Sequence, residues 1–328
     1  LKMKYTYLGR SGLKVSKLCL GTMNFGVDTS EKEAFRIMDA AVDAGVNFFD
    51  TANVYGGIGS RGKTEEIIGR WFAQGGGRRE KVVLATKVFG DMENPDDGPN
   101  AARGLSAYKI RRHLEASLQR LQTDHIELYQ MHHVDRNVAW DELWEAFLVH
   151  VYQGKIGYVG ASNFAGRDLV KAQYEAKNRH FLGLVSEQHK YSLLCRLPEL
   201  EVLPAAEEYG IGVIAWSPLD GGLLGGNALN PAAGSRSSRN QERAEKRRSQ
   251  LEAFSRLCKE LGESEANVAL AWTLVNPAMT APIIGPRTLE QFESTLRVVD
   301  IELNADVLKQ LDEIFPGPGG SAPQAYAW

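Results

Sequence analysis

The apolar positions of this chain switch period repeatedly. Near the N-terminus, YTYLGRSGLKVSKLCLG alternates around Gly-containing turns, which predicts a short β-hairpin and then a buried strand ending near Gly21. Helical spacing follows at Ala34, Ile37, Met38, Ala41 and Val42, with Ser30 and Glu33 as a capping box and Gly45 as the stop. GVNFFDTA reads as a strand and 64–72 as a helix; KVVLATKV is a strand, and 105–121 a helix with Ile110, Leu114, Leu118 and Leu121 on one stripe. HIELYQMHH, IGYVGASN, GLVSEQH, IGVIAWSPL and MTAPIIG continue the strands. Between and after them the pattern predicts helices over 139–152, 167–177 and 198–209, two within 244–276, and one over 289–298.

Counted from LCLG onward, this gives eight strands, each followed by helical sequence. Such alternation implies parallel pairing. Eight units in 328 residues favour a closed (β/α)8 TIM barrel, with the N-terminal β-hairpin, over an open sheet. No linker divides the chain, so a single domain over 1–328 is expected. Two segments depart from the pattern. The stretch 227–250 is polar, without apolar periodicity until its end, and reads as a long mobile loop. The tail PGPGGSAPQAYAW, over 316–328, reads either as flexible or as folded over the barrel mouth.

Composition narrows the function classes. A net charge of −3 offers no broad attraction to nucleic acid or to an acidic membrane. No apolar run approaches the roughly 18–20 residues that span a bilayer, and the first residues lack the apolar core of a signal peptide. A cytoplasmic protein is the expectation. Cys19, Cys195 and Cys258 are widely spaced and odd in number, which fits neither a disulfide framework nor a zinc site, so no metal is expected.

GIGSRG, over 57–62, matches the G-x-G-x-x-G dinucleotide fingerprint but lacks its setting. The preceding strand ends near Asp50, TANVYG intervenes, and the nearest acidic candidate, Glu80, precedes the next strand instead of ending it. Glycine clustering in a loop is the better account.

In such barrels chemistry sits at the C-terminal strand ends. Counting back in twos, Asp50 shares a face with Phe48 and Val46, and Lys87 with Ala85 and Val83. The adjacent histidines of ELYQMHHVD must face opposite ways. His132 goes with Gln130, Leu128 and Ile126, the less charged set, and is the better candidate to face inward; His133 goes with Met131, Tyr129, Glu127 and His125. Any one of these residues could be structural. An acid, a base and an imidazole ending three successive inner strands, with Tyr55 just beyond the first, suggest a tyrosine acid whose proton affinity is tuned. Free Tyr titrates near about 10 and Lys near about 10.4. A nearby ammonium lowers the phenol's pKa, and Asp50 would hold Lys87 charged.

DTANVYG (50–56), ATK (85–87), LYQMH (128–132) and SNF (162–164) resemble signatures of the aldo-keto reductase superfamily. The similarity runs in order from the N-terminal hairpin to about 298. LGRSGLKVSKLCLGT and GLSAYKIRRHLEASLQRLQ look most like the branch of bacterial reductases and voltage-gated potassium-channel β-subunits. The resemblance implies a catalytic tetrad of Asp50, Tyr55, Lys87 and His132. Tyr55 would protonate a carbonyl oxygen as reduced nicotinamide delivers hydride to the carbon, and His132 would orient the carbonyl or help relay the proton. His133 stands where relatives often carry Trp and would line the substrate pocket with Tyr55 and His132.

The same resemblance implies NADP(H) lying across the barrel mouth. Ser162, Asn163 and Gln188 would bond the nicotinamide carboxamide, and Trp216 would stack on its ring. Ser217, Pro218, Leu219 and Gly221 match the loop along the pyrophosphate; Gly21, Thr22, Met23 and Asp50 match the strand ends beside the nicotinamide ribose. IIGPRTLEQFESTL matches the element holding the adenosine 2′-phosphate, through Gly285, Arg287, Gln291 and Thr295. Ser294 and Thr295 stand where relatives commonly carry Glu and Asn. The six basic residues of 227–250 suit a lid over bound phosphates or an ordinary solvated loop.

The leading expectation is NADPH-dependent reduction of an aldehyde or ketone. A rival is a regulatory β-subunit-like protein that keeps fold and cofactor with little turnover; those subunits resemble reductases with Asn at the His132 position, so histidine here favours an enzyme. A third reading specifies a keto-sugar: the polar loop over 90–104 could offer acceptors to hydroxyls, or could equally be plain connecting sequence. Relatives range from monomers to tetramers and octamers, which leaves a homo-oligomer open.

Overall fold

The computed structural model describes residues 2–231 and 240–327. β1 (Tyr5–Tyr7) and β2 (Lys14–Ser16) form an antiparallel hairpin. Eight further strands close into a parallel barrel: β3 (Cys19–Gly21), β4 (Phe48–Asp50), β5 (Val83–Val88), β6 (Ile126–Met131), β7 (Ile156–Ser162), β8 (Leu184–Lys190), β9 (Gly212–Trp216) and β10 (Met279–Ile284), with β10 returning to pair with β3. The helices are α1 (Glu31–Asp43), α2 (Lys63–Phe72), α3 (Ala107–Leu121), α4 (Trp140–Tyr152), α5 (Gly166–Asn178), α6 (Val202–Glu208), α7 (Gln241–Lys246), α8 (Arg248–Leu261), α9 (Glu265–Thr273), α10 (Leu289–Thr295), α11 (Ala305–Ile314) and α12 (Gln324–Ala327). The expected barrel and hairpin are both present.

Strand alternation divides the core in two. Phe48, Ala85, Leu128, Val185, Ile214 and Ala281 form one inner cluster, which the hairpin closes from below with Leu8 and Val15. Their neighbours in sequence, such as Phe49, Leu84 and Tyr129, join the larger apolar layer beneath the helices. Gly9 lets the hairpin seat this closely: at φ +55°, a Cβ there would lie 2.5 Å from the Gly210 carbonyl oxygen.

Several local expectations change. Ser30 caps α1 by accepting the Glu33 N–H, but the Glu33 carboxylate does not return to complete the box. It accepts the Leu289 N–H at 2.8 Å instead, joining α1 to the start of α10. The helix expected over 198–209 is broken into a 3-10 turn, Leu197–Glu199, and α6. Proline is tolerated in a first helical turn, where its missing N–H costs no intrahelical bond, and Pro198 and Pro204 each occupy such a turn. The helix over 289–298 leaves α geometry after Thr295 and tightens into a 3-10 segment, Leu296–Asp300.

The expected loop over 227–250 holds α7 and the start of α8, while 232–239 lie outside the described residues. α7 buries only Ala244, so it carries no apolar stripe; the Glu242–Lys246 and Glu245–Arg248 pairs lie at helical spacing instead. α11 was not anticipated, although Val307 and Leu311 form its buried face and Asn304 caps it. In the tail, the Ala322 N–H bonds to the Leu200 carbonyl, against the loop that follows β8. No helix among the described residues is long and apolar enough to cross a membrane.

Candidate active site

Three neighbouring strands bring Asp50, Lys87 and Gln130 to the same inner face, two residues above Phe48, Ala85 and Leu128. Lys87 is fully buried. Its ammonium donates to Asp50 Oδ2 at 2.6 Å, the Thr51 carbonyl at 2.8 Å and the Tyr55 oxygen at 3.2 Å. An ammonium has three N–H bonds and no acceptor, so these contacts use it completely. The Tyr55 hydrogen therefore points away from Lys87.

The Asp50 carboxylate is equally enclosed. Its Oδ1 accepts from Gln130 Nε2 at 3.0 Å and Gln188 Nε2 at 2.8 Å, so the buried charge is paired and hydrogen-bonded on both oxygens. Burial works against the Lys87 ammonium, yet Asp50 and Tyr55 together lift its pKa above the ordinary value. For Tyr55 the balance differs from the sequence expectation. Burial pushes the phenol above its ordinary value, and the opposing pull of Lys87 does not overcome it. The proton stays on Tyr55 until something draws it away.

The Tyr55 and His132 rings meet edge-on, with centroids 6.1 Å apart. The His132 N–H bonds to the Val88 carbonyl, which fixes the strand end that carries the ring. Burial, assisted by the charge of Lys87, lowers the His132 pKa to about 3. The imidazole is neutral across the physiological range. His133 turns outward and is exposed, with its ring 5.3 Å from that of Phe89. β6 ends at Met131, so the two histidines part company in the bend that follows it, not by strand alternation.

Residues singled out for a cofactor fall into three groups on the same rim. Ser162 Oγ donates to the Gln188 carbonyl. Asn163, at φ +58°, donates from Nδ2 to the His132 carbonyl and accepts from Trp216 Nε1 at 3.1 Å. Glu187 braces this turn: its buried Oε1 accepts the Phe164 N–H at 2.9 Å, and burial raises its pKa against the pull of His189. The second group is the turn after β9. Ser217, Asp220 and Gly221 have positive φ, Pro218 is buried, Leu219 packs on the outer core, and Ser217 Oγ accepts the Gly221 N–H. Asp220 is buried between Lys190 at 3.1 Å and Arg243 at 2.6 Å, while Lys190 lies over the Trp216 ring.

Across the mouth, Thr22 Oγ1 donates to the Asp50 carbonyl, Gly21 packs against Ile283, and Met23 is exposed. Gly285 accepts from Asn24. The Arg287 N–H donates to Gln291 Oε1, Thr295 Oγ1 bonds back to Phe292, and Ser294 Oγ back to Gln291. The Arg287 guanidinium lies 3.6 Å from Asp28, and its Nη2 is buried without a hydrogen-bond partner.

The sequence itself resembles those of known proteins. Residues 17–315 match the Aldo/keto reductase family model. The chain belongs to the aldo/keto reductase family. It is 67% identical over 326 residues to the uncharacterized oxidoreductase YrpG of Bacillus subtilis, covering 99% of this chain and 100% of that protein. It is also similar to a probable voltage-gated potassium channel subunit beta of Oryza sativa (34% identity; 91% of this chain, 92% of that one). Protein tas of Escherichia coli is 30% identical, over 96% of this chain and all of its own length. By family, the protein is an oxidoreductase.

Sequence reasoning missed Gln130 as a partner of Asp50, although a polar side chain on an inward strand position was the available signal. The loop over 90–104 was open to two readings, acceptors for substrate hydroxyls or plain connecting sequence. Asp97 is turned inward there, with its side chain buried, and Glu93 is held by Arg61.

Proposed function

We propose that the protein reduces an aldehyde or ketone to the alcohol with NADPH, and that Tyr55 is the general acid. The observation that carries this reading is the fully engaged Lys87 ammonium, which leaves the Tyr55 hydrogen as the free donor at the rim. Reduced nicotinamide, when bound, supplies the hydride to the carbonyl carbon. As negative charge develops on the carbonyl oxygen, Tyr55 gives it a proton and becomes a phenolate beside Lys87, which stabilises that charge. Asp50 keeps the ammonium charged and in place. His132, neutral, directs a ring N–H at the same oxygen and limits its orientation.

The residues present suit NADP. The buried Arg287 Nη2 makes no hydrogen bond and has only the Asp28 carboxylate opposite it, 3.6 Å away; a 2′-phosphate would give the guanidinium a bonded acceptor, which favours NADP over NAD. Trp216, fixed by Asn163, would support the nicotinamide ring, with Ser162 and Gln188 beside it. Gly21, Thr22, Met23, Asp50 and Gly285 would line the opposite edge. Ser217, Pro218, Leu219 and Gly221 would follow the pyrophosphate, and Gln291 and Thr295 the adenosine. His133 and Phe89 would form one wall for the substrate.

Stopped-flow oxidation of NADPH with simple aldehydes tests this. Tyr55→Phe should slow hydride transfer by about 10²–10⁴-fold while leaving NADPH binding intact. Equal rates in both proteins would sink the assignment. The kinship with a channel β-subunit favours a second reading, a protein that binds cofactor with little turnover. NADPH binding without oxidation by any of a broad set of aldehydes, ketones and keto-sugars would favour it.

A further inference from the structure

The loop over 90–104 is joined to the Tyr55 turn through a buried chain of three side chains. Asp97, in the 3-10 segment Pro95–Asn100, accepts from Arg112 at 3.0 Å and faces His113 Nε2 at 2.9 Å. On its other side, His113 Nδ1 lies 3.4 Å from Asn53 Nδ2. Asn53 is fully buried, two residues before Tyr55, and its backbone N–H reaches the Lys87 carbonyl.

The direction of this chain follows from its chemistry. Despite burial, hydrogen bonds from His113 and Arg112 hold the Asp97 carboxyl below its ordinary range, so it acts as an acceptor. His113 Nε2 must then carry hydrogen. Burial keeps the ring neutral against the pull of Asp97, which leaves Nδ1 to accept from Asn53. The Asn53 side chain has no other hydrogen bond among the described residues, and its Oδ1 has no partner. Its orientation depends on His113.

We propose that Asp97, His113 and Asn53 form a positioning relay that sets the Tyr55 turn against Lys87, and so places the acid of the reduction. This assignment rests on the reading of Tyr55 as the proton donor. Packing supports the same coupling. The loop lies so close to the turn that a Cβ on Gly90 would fall 2.4 Å from Val54 Cγ1. Glu93 of the loop also binds Arg61 at 3.0 Å and the Gly59 N–H at 3.1 Å, just after the turn.

Two readouts on the full chain test the relay. The first is the Tyr55 ring ζ-carbon resonance in protein labelled with ¹³C-tyrosine, assigned by loss in Tyr55→Phe and titrated without substrate. The second is single-turnover oxidation of bound NADPH by 4-nitrobenzaldehyde. His113→Leu and Asn53→Ala should each move the Tyr55 titration and slow hydride transfer about tenfold, the scale of a small misplacement at a reacting group. NADPH affinity should stay within about twofold, and the double variant should be no slower than either single one. His113→Gln, which keeps one donor and one acceptor, should recover most of the rate. If His113→Leu does not fold, Asn53→Ala carries the test, because the Asp97–His113 pair is retained. An unmoved titration, or effects that multiply in the double variant, overturns the relay. A moved titration together with undiminished turnover in Tyr55→Phe instead rejects Tyr55 as the acid.

Discussion

The interior of the barrel contains two environments one step of the strand period apart. Below, Phe48, Ala85 and Leu128 pack with Leu8 and Val15 of the hairpin in a wholly apolar cluster. Two residues further along the same strands, Asp50, Lys87 and Gln130 form a charged and hydrogen-bonded layer that is almost as dry, with Lys87 side-chain exposure at 0% and Asp50 at 3%. The contrast shows what each half demands of its residues. The lower half needs volume and hydrocarbon, a condition many residue sets satisfy. The upper half needs every donor matched to an acceptor, because a buried charge that loses its partner keeps the cost of its burial.

Removing one partner breaks that division most severely. Lys87→Met leaves the Asp50 carboxylate with two amide donors and no cation, and should cost about 3–5 kcal/mol in chemical denaturation. NADPH oxidation should be lost with it. A stable but inactive Lys87→Met protein would mean that the upper layer tolerates an unpaired charge. Truncating the lower layer should give the opposite pattern. Leu128→Ala should cost about 2–5 kcal/mol through lost contacts and a cavity, with hydride transfer close to that of the parent protein in the folded fraction.

The smallest effect sharpens the comparison through pH. His132 has an ordinary pKa of 6.5 and a folded value of about 3. Between these values the unfolded chain binds the proton more readily. Its neutral ring therefore adds no penalty above pH 6.5, and stability falls as pH drops from there toward 3. His132→Asn should remove on the order of 1–2 kcal/mol of the parent protein's loss at pH 5, measured by urea unfolding at pH 7 and pH 5. Parallel pH dependence in the two proteins would show that the ring is more open to water than its surroundings indicate.

Much of the upper layer was legible before any coordinates. A period of two from Phe48 to Asp50 and from Ala85 to Lys87 puts those residues on one face once the strands are recognised. The partners of Asp50 were not legible, because Gln130 and Gln188 lie 80 and 138 residues away in sequence. The second half of the Ser30 cap failed for a related reason: a local motif offered Glu33 one acceptor role, and a helix 256 residues distant supplied another. α7 escaped because charge pairs, instead of an apolar stripe, lie at its helical spacing.

The sequence by itself determined the order of strands and helices, the closed barrel and the shared strand face of Asp50 and Lys87 with the apolar residues below them. Each follows from local periodicity and chirality, which act over a few residues at a time. Only the tertiary structure decided how the proton affinities settle. The Tyr55 phenol lies above its ordinary value because desolvation outweighs the nearby ammonium. That is a difference between two opposing effects whose sizes depend on depth and distance, and neither depth nor distance exists until the chain has closed around them.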